Sequence, residues 1–176
     1  MTMSLSLSQY DPAWSLAFQA EAALLQKAYG PQPLELHHIG STAIPGMLAK
    51  PIIDLLGVVA SHEALDARPG LMPELGYEVM GAYGIEGRRY FRKSNGAGLR
   101  THHLHMFESG SPHIERHLAF RDYLRAHPDR ARDYCDVKRN LVGDGDATGS
   151  DYVAGKAPFV LTVQAEALDW YRGQQR

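Results

Sequence analysis

Cysteine is nearly absent from this 176-residue chain, and long apolar runs and a strong excess of either charge are missing. The single cysteine, Cys135, excludes an intramolecular disulfide framework and is typical of a reducing compartment, where we expect a buried thiol rather than a nucleophile. No apolar run approaches the roughly 20 residues that span a bilayer, so no membrane association is predicted. The formal net charge of -2 argues against a dedicated duplex nucleic-acid binder, because such proteins are usually strongly basic.

An export signal is also missing from the N-terminal stretch MTMSLSLSQYDPAW. It has no Lys or Arg ahead of a short Ser/Leu run, whereas a secretory signal needs a basic start and an apolar middle. We therefore expect a cytoplasmic protein. Hydrophobic residues at 44% and charged residues at 22% are ordinary values, and the length predicts a single domain over residues 1–176.

Hydrophobic patterning in the first third predicts a helix followed by two strands. The stretch YDPAWSLAFQAEAALLQKAYG has Asp11 as a helix N-cap, Pro12 at the first helical position and Gly30 just beyond the end. The stretch PLELHHIGS alternates as a strand does, and it ends in Gly-Ser. The next apolar run, IIDLLGVV, is typical of a central strand covered on both faces, and it carries Asp54.

The rest of the chain predicts a helical segment, three strands and a helical C-terminal third. SHEALDARPGLMPEL favours a helix, and a strand follows near Tyr77. RRYFRK and RTHHLHMFE flank the stretch SNGAG as the two strands of a hairpin would. From His113 onward the pattern is helical, with one helix beginning at Pro128 and the last containing Lys156.

Asp54 needs a physical explanation, because a buried carboxylate is costly unless it is paired, protonated or bound to a metal. Alternation in RTHHLHMFE puts Leu104 and Met106 on the core face, so His103 and His105 share the other face, roughly 6.5–7 Å apart along the strand. With Asp54 they form a candidate two-histidine, one-carboxylate metal site, whose imidazoles favour Mn, Zn or Fe over Mg. A structural role for the histidines, or an Asp54 satisfied by backbone amides or a lysine, is the alternative.

Several segments together resemble the GrpB family, in family order from Tyr10 to about Ala167. They are HHIGSTAIPG, AKPIIDLLGVV, THHLHMFE, FRDYLRAHP, YCDVKRNL and DYVAGK. The resemblance implies an α+β fold, namely a nucleotidyltransferase-like mixed β-sheet with helices on one face and a helical C-terminal third. It also implies a relation to domains fused behind dephospho-coenzyme A kinases. In the nucleotidyltransferase superfamily a Gly-Ser turn meets the nucleotide triphosphate, and acids on the following strand hold magnesium.

Carried onto this sequence, the resemblance makes Asp54 and Ser41 the candidate catalytic residues. Backbone N–H groups at a glycine turn and a serine hydroxyl can cradle a phosphate. The candidates for nucleotide or phosphate binding are Gly40, Ser41, Thr42, Lys50, Arg100, Lys138 and Lys156. The expected cofactor is a divalent metal, Mg or Mn with Zn as the alternative, held by Asp54, His103 and His105. Nucleotidyltransferases generally carry a second acid two positions after the first, where this chain has Leu56.

The leading hypothesis is a nucleotide-binding protein that transfers a nucleotidyl or phosphoryl group to an unidentified acceptor with the help of a metal. Leu56 favours the alternative, a non-catalytic ligand-binding or accessory module that kept the fold and lost one metal-binding acid. Hydrolysis through a histidine nucleophile is disfavoured, because Phe107 interrupts the alternation after His105. The expected partner is a nucleotide or another phosphorylated small molecule. The oligomeric state stays open.

Overall fold

Five strands form one mixed sheet in a computed structural model that describes residues 6–143 and 149–176. The strands are β1 (Glu35–Ile39), β2 (Ile53–Val59), β3 (Tyr77–Gly81), β4 (Arg89–Ser94) and β5 (Arg100–Glu108). Their order across the sheet is β1-β2-β5-β4-β3, so β2 is an interior strand. β2 runs parallel to β5, and every other neighbouring pair is antiparallel.

Six helices accompany the sheet within the described residues. They are α1 (Ala13–Tyr29), α2 (Glu63–Asp66), α3 (Leu71–Glu74), α4 (Pro112–Ala126), α5 (Pro128–Gly143) and α6 (Gly149–Gln174), and a short 3₁₀ turn spans Ser41–Ala43. Helices α4 to α6 make up the C-terminal third. The α+β class and the helical C-terminal third are therefore confirmed.

Helix α1 follows its sequence signals closely. The Asp11 carboxylate accepts a hydrogen bond from the Ala13 amide at 2.9 Å, and Gly30 follows the last helical residue. Trp14 and Leu25 are buried in the main core, and the Phe18 ring stacks on His38 with centroids 4.9 Å apart. The predicted apolar face of this helix therefore packs on the sheet.

The segment between β2 and β3 differs from its prediction. One helical segment was expected, whereas the structure has two short helices, α2 and α3. They are separated by Ala67 to Gly70, where Pro69 lacks an amide donor and restricts the residue before it. The hairpin of β4 and β5 is confirmed, with Arg92 opposite His103 in an antiparallel register.

The two faces of the sheet are covered by different helices, whereas the resemblance implies helices on one face. Leu55 and Leu104 belong to the main core beneath α1, while Leu56 and Phe107 belong to a smaller cluster on the α4 side. Successive residues of a strand point to opposite faces. Asp54, His103 and His105 therefore lie on the α4 side, as the alternation of the sequence predicts.

The third hydrophobic cluster fixes the C-terminal helices against the connector between β1 and β2. Ile44 and Met47 of that connector are fully buried with Ala119, Leu124 and Val163 from α4 and α6. Cys135 is buried in the same cluster, in agreement with the expected buried thiol. In residues 6–143 and 149–176, we find no helix with both the length and the apolar character needed to cross a membrane.

Candidate functional site

A pocket of about 230 Å³ lies where the 3₁₀ turn and the ends of β2 and β5 meet helices α5 and α6. Its lining consists of Ser41, Thr42, Ala49, Lys50, Ile52, Asp54, His103, Lys138, Tyr152, Val153 and Lys156. Residues that are far apart in the chain, such as Ser41 and Lys138, meet here. Most of the site residues predicted from the sequence thus lie around one cavity.

Gly40 lets the serine-bearing turn approach the aspartate. Its backbone has φ 72° and ψ -171°, a conformation that is essentially restricted to glycine. A Cβ at this position would lie 2.7 Å from Oδ2 of Asp54. The glycine is therefore required both by its backbone angles and by its contact with the Asp54 carboxylate.

Asp54 is held by two imidazoles. Its Oδ1 lies 3.3 Å from Nε2 of His105 and 3.4 Å from Nδ1 of His103. Burial alone would raise the pKa of Asp54, but the contacts with His103 and His105 more than offset it, so the pKa lies well below its ordinary value. The carboxylate is therefore ionised at neutral pH, and its charge is stabilised by hydrogen bonding.

The proton on His105 is placed by its neighbour Arg88, which is 7% exposed. Nη1 of Arg88 lies 3.3 Å from Nδ1 of His105. A guanidinium can only donate, so Nδ1 accepts and the remaining ring proton sits on Nε2, where it points at Asp54. Arg88 also donates to the carbonyl oxygens of Ala82 and Tyr83, which fixes its position.

The predicted metal site gains no support from this hydrogen bonding. Among the described side chains, no group of three or more His, Cys, Asp and Glu is arranged to hold a metal ion. A protonated Nε2 on His105 is a donor and cannot ligate a cation at the same time. Metal ligation by Asp54, His103 and His105 therefore stays a prediction, with Asp54 as its most suitable ligand.

Lys138 is the most buried charged side chain of the pocket, at 1% exposure. Its Nζ lies 2.6 Å from Oγ of Ser41, donates to the Leu48 carbonyl at 2.6 Å, and sits 4.2 Å from the centroid of the Tyr134 ring. Burial, assisted by the nearby charge of Lys156, lowers the pKa of Lys138 to about 7. This lysine therefore exchanges a proton near neutral pH.

Two further lysines share one aromatic ring. Nζ of Lys50 lies 5.1 Å from the centroid of Tyr152, and Nζ of Lys156 lies 4.9 Å from it. Burial lowers the pKa of both lysines, and Lys50 lowers that of Lys156 further. Within the described residues, no ion pair joins any of the three pocket lysines to a carboxylate.

Three predicted residues, Gly40, Arg100 and His105, lie outside the pocket lining. Arg100 begins β5, and its Nε donates to Oγ of Ser94 at 3.3 Å, so its predicted role in phosphate binding has no support from this geometry. His105 lies behind Asp54 rather than on the pocket wall. Leu56 is fully buried against Ile39 and Phe107, so hydrocarbon fills the position where a second acid would stand.

Sequence reasoning missed the tyrosines that accompany the lysines. Tyr134 precedes Lys138 by four residues in α5, and Tyr152 precedes Lys156 by four residues in α6. Residues four apart lie on the same side of a helix, so both pairs were visible in the segments YCDVK and DYVAGK. Arg88 was not singled out because the pattern puts it at the start of the strand RRYFRK, whereas it lies in the loop just before β4.

The fold and the pocket define an α+β protein with a mixed five-stranded sheet and a lysine-rich cavity. A family model described as GrpB protein matches residues 4–166, and the chain belongs to that family. UPF0157 protein YqkA of Bacillus subtilis is 45% identical over 165 residues, which cover 94% of this chain and 48% of that protein. The chain therefore spans about half the length of this relative.

Solved structures show the same fold. The crystal structure of conserved protein GrpB from Enterococcus faecalis matches with a TM-score of 0.87 at 38% identity, covering 94% of this chain and 99% of that one. The Cid1 poly(U) polymerase with bound MgGTP matches with a TM-score of 0.54 at 12% identity, covering 76% and 44% respectively, and this likeness shows the fold alone.

The expected relation to dephospho-coenzyme A kinases is also confirmed. A dephospho-CoA kinase of Mycolicibacterium paratuberculosis is 30% identical over 183 residues, covering 91% of this chain and 45% of that protein.

Proposed function

We propose that this protein binds a nucleotide or another phosphorylated small molecule through its phosphate groups, in the pocket of Lys50, Lys138 and Lys156. The convergence of three lysines beside the Gly40–Ser41 turn is the observation that carries the proposal. Charges of one sign repel one another, and burial adds to their cost. A bound phosphate would remove both penalties and form charge-assisted hydrogen bonds with the amines of Lys50 and Lys156.

The size of the pocket limits which part of the ligand it holds. At about 230 Å³ it is smaller than the roughly 300–1,000 Å³ typical of sites for drug-sized ligands. A phosphate chain fits such a volume, whereas a whole nucleotide does not. We expect the phosphates to occupy the lysine-lined cavity and the rest of the ligand to lie toward solvent.

Asp54 suits a divalent cation delivered with the phosphates. Magnesium is commonly held by one or two carboxylates together with phosphate oxygens and water. A single carboxylate on an interior strand fits that pattern for Mg or Mn. His103 supplies the imidazole of the pocket lining, since His105 is not part of it. Such a cation would neutralise charge on the phosphates. The lysines would bind and orient them, which is the main requirement of phosphoryl or nucleotidyl transfer.

A non-catalytic binding module is the second candidate function. The buried Leu56 favours it, because two-metal nucleotidyl transfer needs a second acid facing the same cavity. The two candidates share the binding step and differ in turnover. Release of pyrophosphate or of a nucleoside diphosphate from a bound nucleoside triphosphate would favour the catalytic candidate over the binding module.

Calorimetric titration tests the binding step. We expect at least one nucleoside triphosphate to bind in the presence of Mg or Mn, and Lys156→Gln to weaken it at least about tenfold by removing one charge-assisted contact. Arg139→Gln is the matched control, because Arg139 lies on α5, is 59% exposed and pairs with Asp136. Absence of binding by every common nucleoside triphosphate and by pyrophosphate, with and without metal, would contradict the proposal.

A further inference from the structure

We infer that Ser41 is a nucleophile and Lys138 its general base, so that the pocket's own serine is the first acceptor of a phosphoryl or nucleotidyl group. This inference rests on the proposed function, because it names the acceptor in the same site. Sequence patterns identify neither a base nor an acceptor. The contact between Ser41 and Lys138, 97 residues apart in the chain, supplies both.

The geometry matches that of an activated serine. Oγ of Ser41 lies on the pocket wall, 2.6 Å from Nζ of Lys138. The base is itself oriented by the Leu48 carbonyl at 2.6 Å and by the Tyr134 ring at 4.2 Å. A nucleophile within hydrogen-bond reach of a base, with the base held by a third group, is the general arrangement of covalent catalysis by serine.

Lys138 can act as a base only in its neutral form. An ordinary lysine, with a pKa near 10.5, is protonated at neutral pH, whereas burial and Lys156 bring this pKa to about 7. The neutral amine keeps an N–H for the Leu48 carbonyl and directs its lone pair to the hydroxyl of Ser41. The hydroxyl then donates to the amine, which prepares the oxygen for attack.

The chemical step balances without any further reactant. Oγ of Ser41 attacks a phosphorus atom of the bound ligand, and its proton passes to Nζ of Lys138. The new Oγ–P bond forms as the P–O bond to the leaving group breaks. The leaving group is pyrophosphate for nucleotidyl transfer and a nucleoside diphosphate for phosphoryl transfer. Lys50 and Lys156 offset the charge that develops on it.

Labelling with a small phosphonofluoridate tests the serine without relying on a nucleotide. The reagent transfers its phosphorus to an activated serine and releases fluoride, and peptide mass spectrometry locates the adduct. We expect Ser41 to react at least about a hundredfold faster in the wild-type protein than in Lys138→Arg, because a positioned general base contributes about 10²–10⁴-fold. Arginine stays protonated throughout the accessible pH range, so it cannot act as a base.

Two controls keep the result interpretable. Arg139→Gln should label at the wild-type rate, because its side chain lies on the exposed side of α5. The wild-type rate should rise through a single ionisation near pH 7, which needs no variant to fold. Absence of label on Ser41, or a folded Lys138→Arg protein that labels at the wild-type rate, would overturn the inference.

The outcomes for the inference and for the proposed function are distinct. Nucleotide binding with an unreactive Ser41 would remove the nucleophile and leave the binding function intact. A reactive Ser41 that depends on Lys138, in a protein that binds no nucleotide or pyrophosphate, would remove the proposed ligand and leave the dyad intact. Intact mass measured after incubation with nucleoside triphosphates and Mg then identifies which group is transferred.

Discussion

Two lysines on opposite faces of the sheet are stabilised in different ways. On the α1 side, Lys93 donates to the Glu21 carboxylate at 2.8 Å, and the same oxygen accepts from the Tyr77 hydroxyl at 2.8 Å. On the α4 side, Lys138 contacts a hydroxyl, a carbonyl and an aromatic ring, with no carboxylate partner within the described residues. Within the part of the chain that the structure describes, a carboxylate therefore neutralises the half-buried Lys93, and none contacts the buried Lys138.

The difference separates a structural charge from a functional one. A buried charge with an opposite partner stabilises the fold as a pair, and its removal leaves the partner unsatisfied. A buried lysine without a partner costs free energy unless a proton leaves or an anion arrives. The α1 side therefore belongs to the scaffold, and under the proposed function a bound anion supplies the charge that Lys138 lacks.

The largest effect is expected from removing the carboxylate that pairs with Lys93 on the α1 side. Glu21→Ala leaves Lys93 without its carboxylate and Tyr77 without its acceptor, so we expect the free energy of unfolding to fall by about 3 kcal/mol. Urea denaturation at pH 7 measures this change. The double variant Glu21→Leu/Lys93→Met should recover much of the loss, because hydrocarbon replaces both charges. A single variant as stable as the wild type would show that the pair is not structural.

Contacts within the sheet and contacts between separate elements differ in how far the sequence predicts them. Alternation along β5 correctly puts His103 and His105 on one face with Asp54, because the period of a strand is a local property. The contact of Lys138 with Ser41 depends on how α5 packs against the β1–β2 connector, which no local pattern encodes. The contact of Arg88 with His105 is likewise tertiary, because Arg88 lies just before β4 rather than within the predicted strand.

A smaller effect is expected from adding a side chain at Gly40, where the turn contacts Asp54 on the α4 side. In Gly40→Ala, the alanine must adopt a backbone conformation that is nearly exclusive to glycine, and its Cβ would lie 2.7 Å from Oδ2 of Asp54. We therefore expect the free energy of unfolding to fall by about 2 kcal/mol. Gly46→Ala is the matched control, because its φ of 81° is also positive but its Cβ would meet no atom within 4 Å. Only Gly40→Ala should also weaken phosphate binding. Equal effects of the two variants on binding would separate Gly40 from the site.

The effect that is smallest over one pH unit is a pH dependence that sharpens the contrast between the two lysines. The pKa of Lys138 is about 7 in the folded protein and near 10.5 when unfolded, so between these values the unfolded chain holds the extra proton. Folding stability attributable to Lys138 therefore rises with pH in this window, by at most about 1.4 kcal/mol per pH unit, and is constant below it. Lys138→Met should remove that rise, which urea denaturation at pH 7, 8 and 9 measures. Arg139→Gln should keep the wild-type slope, and parallel curves for wild type and Lys138→Met would mean that Lys138 keeps its proton in the folded state.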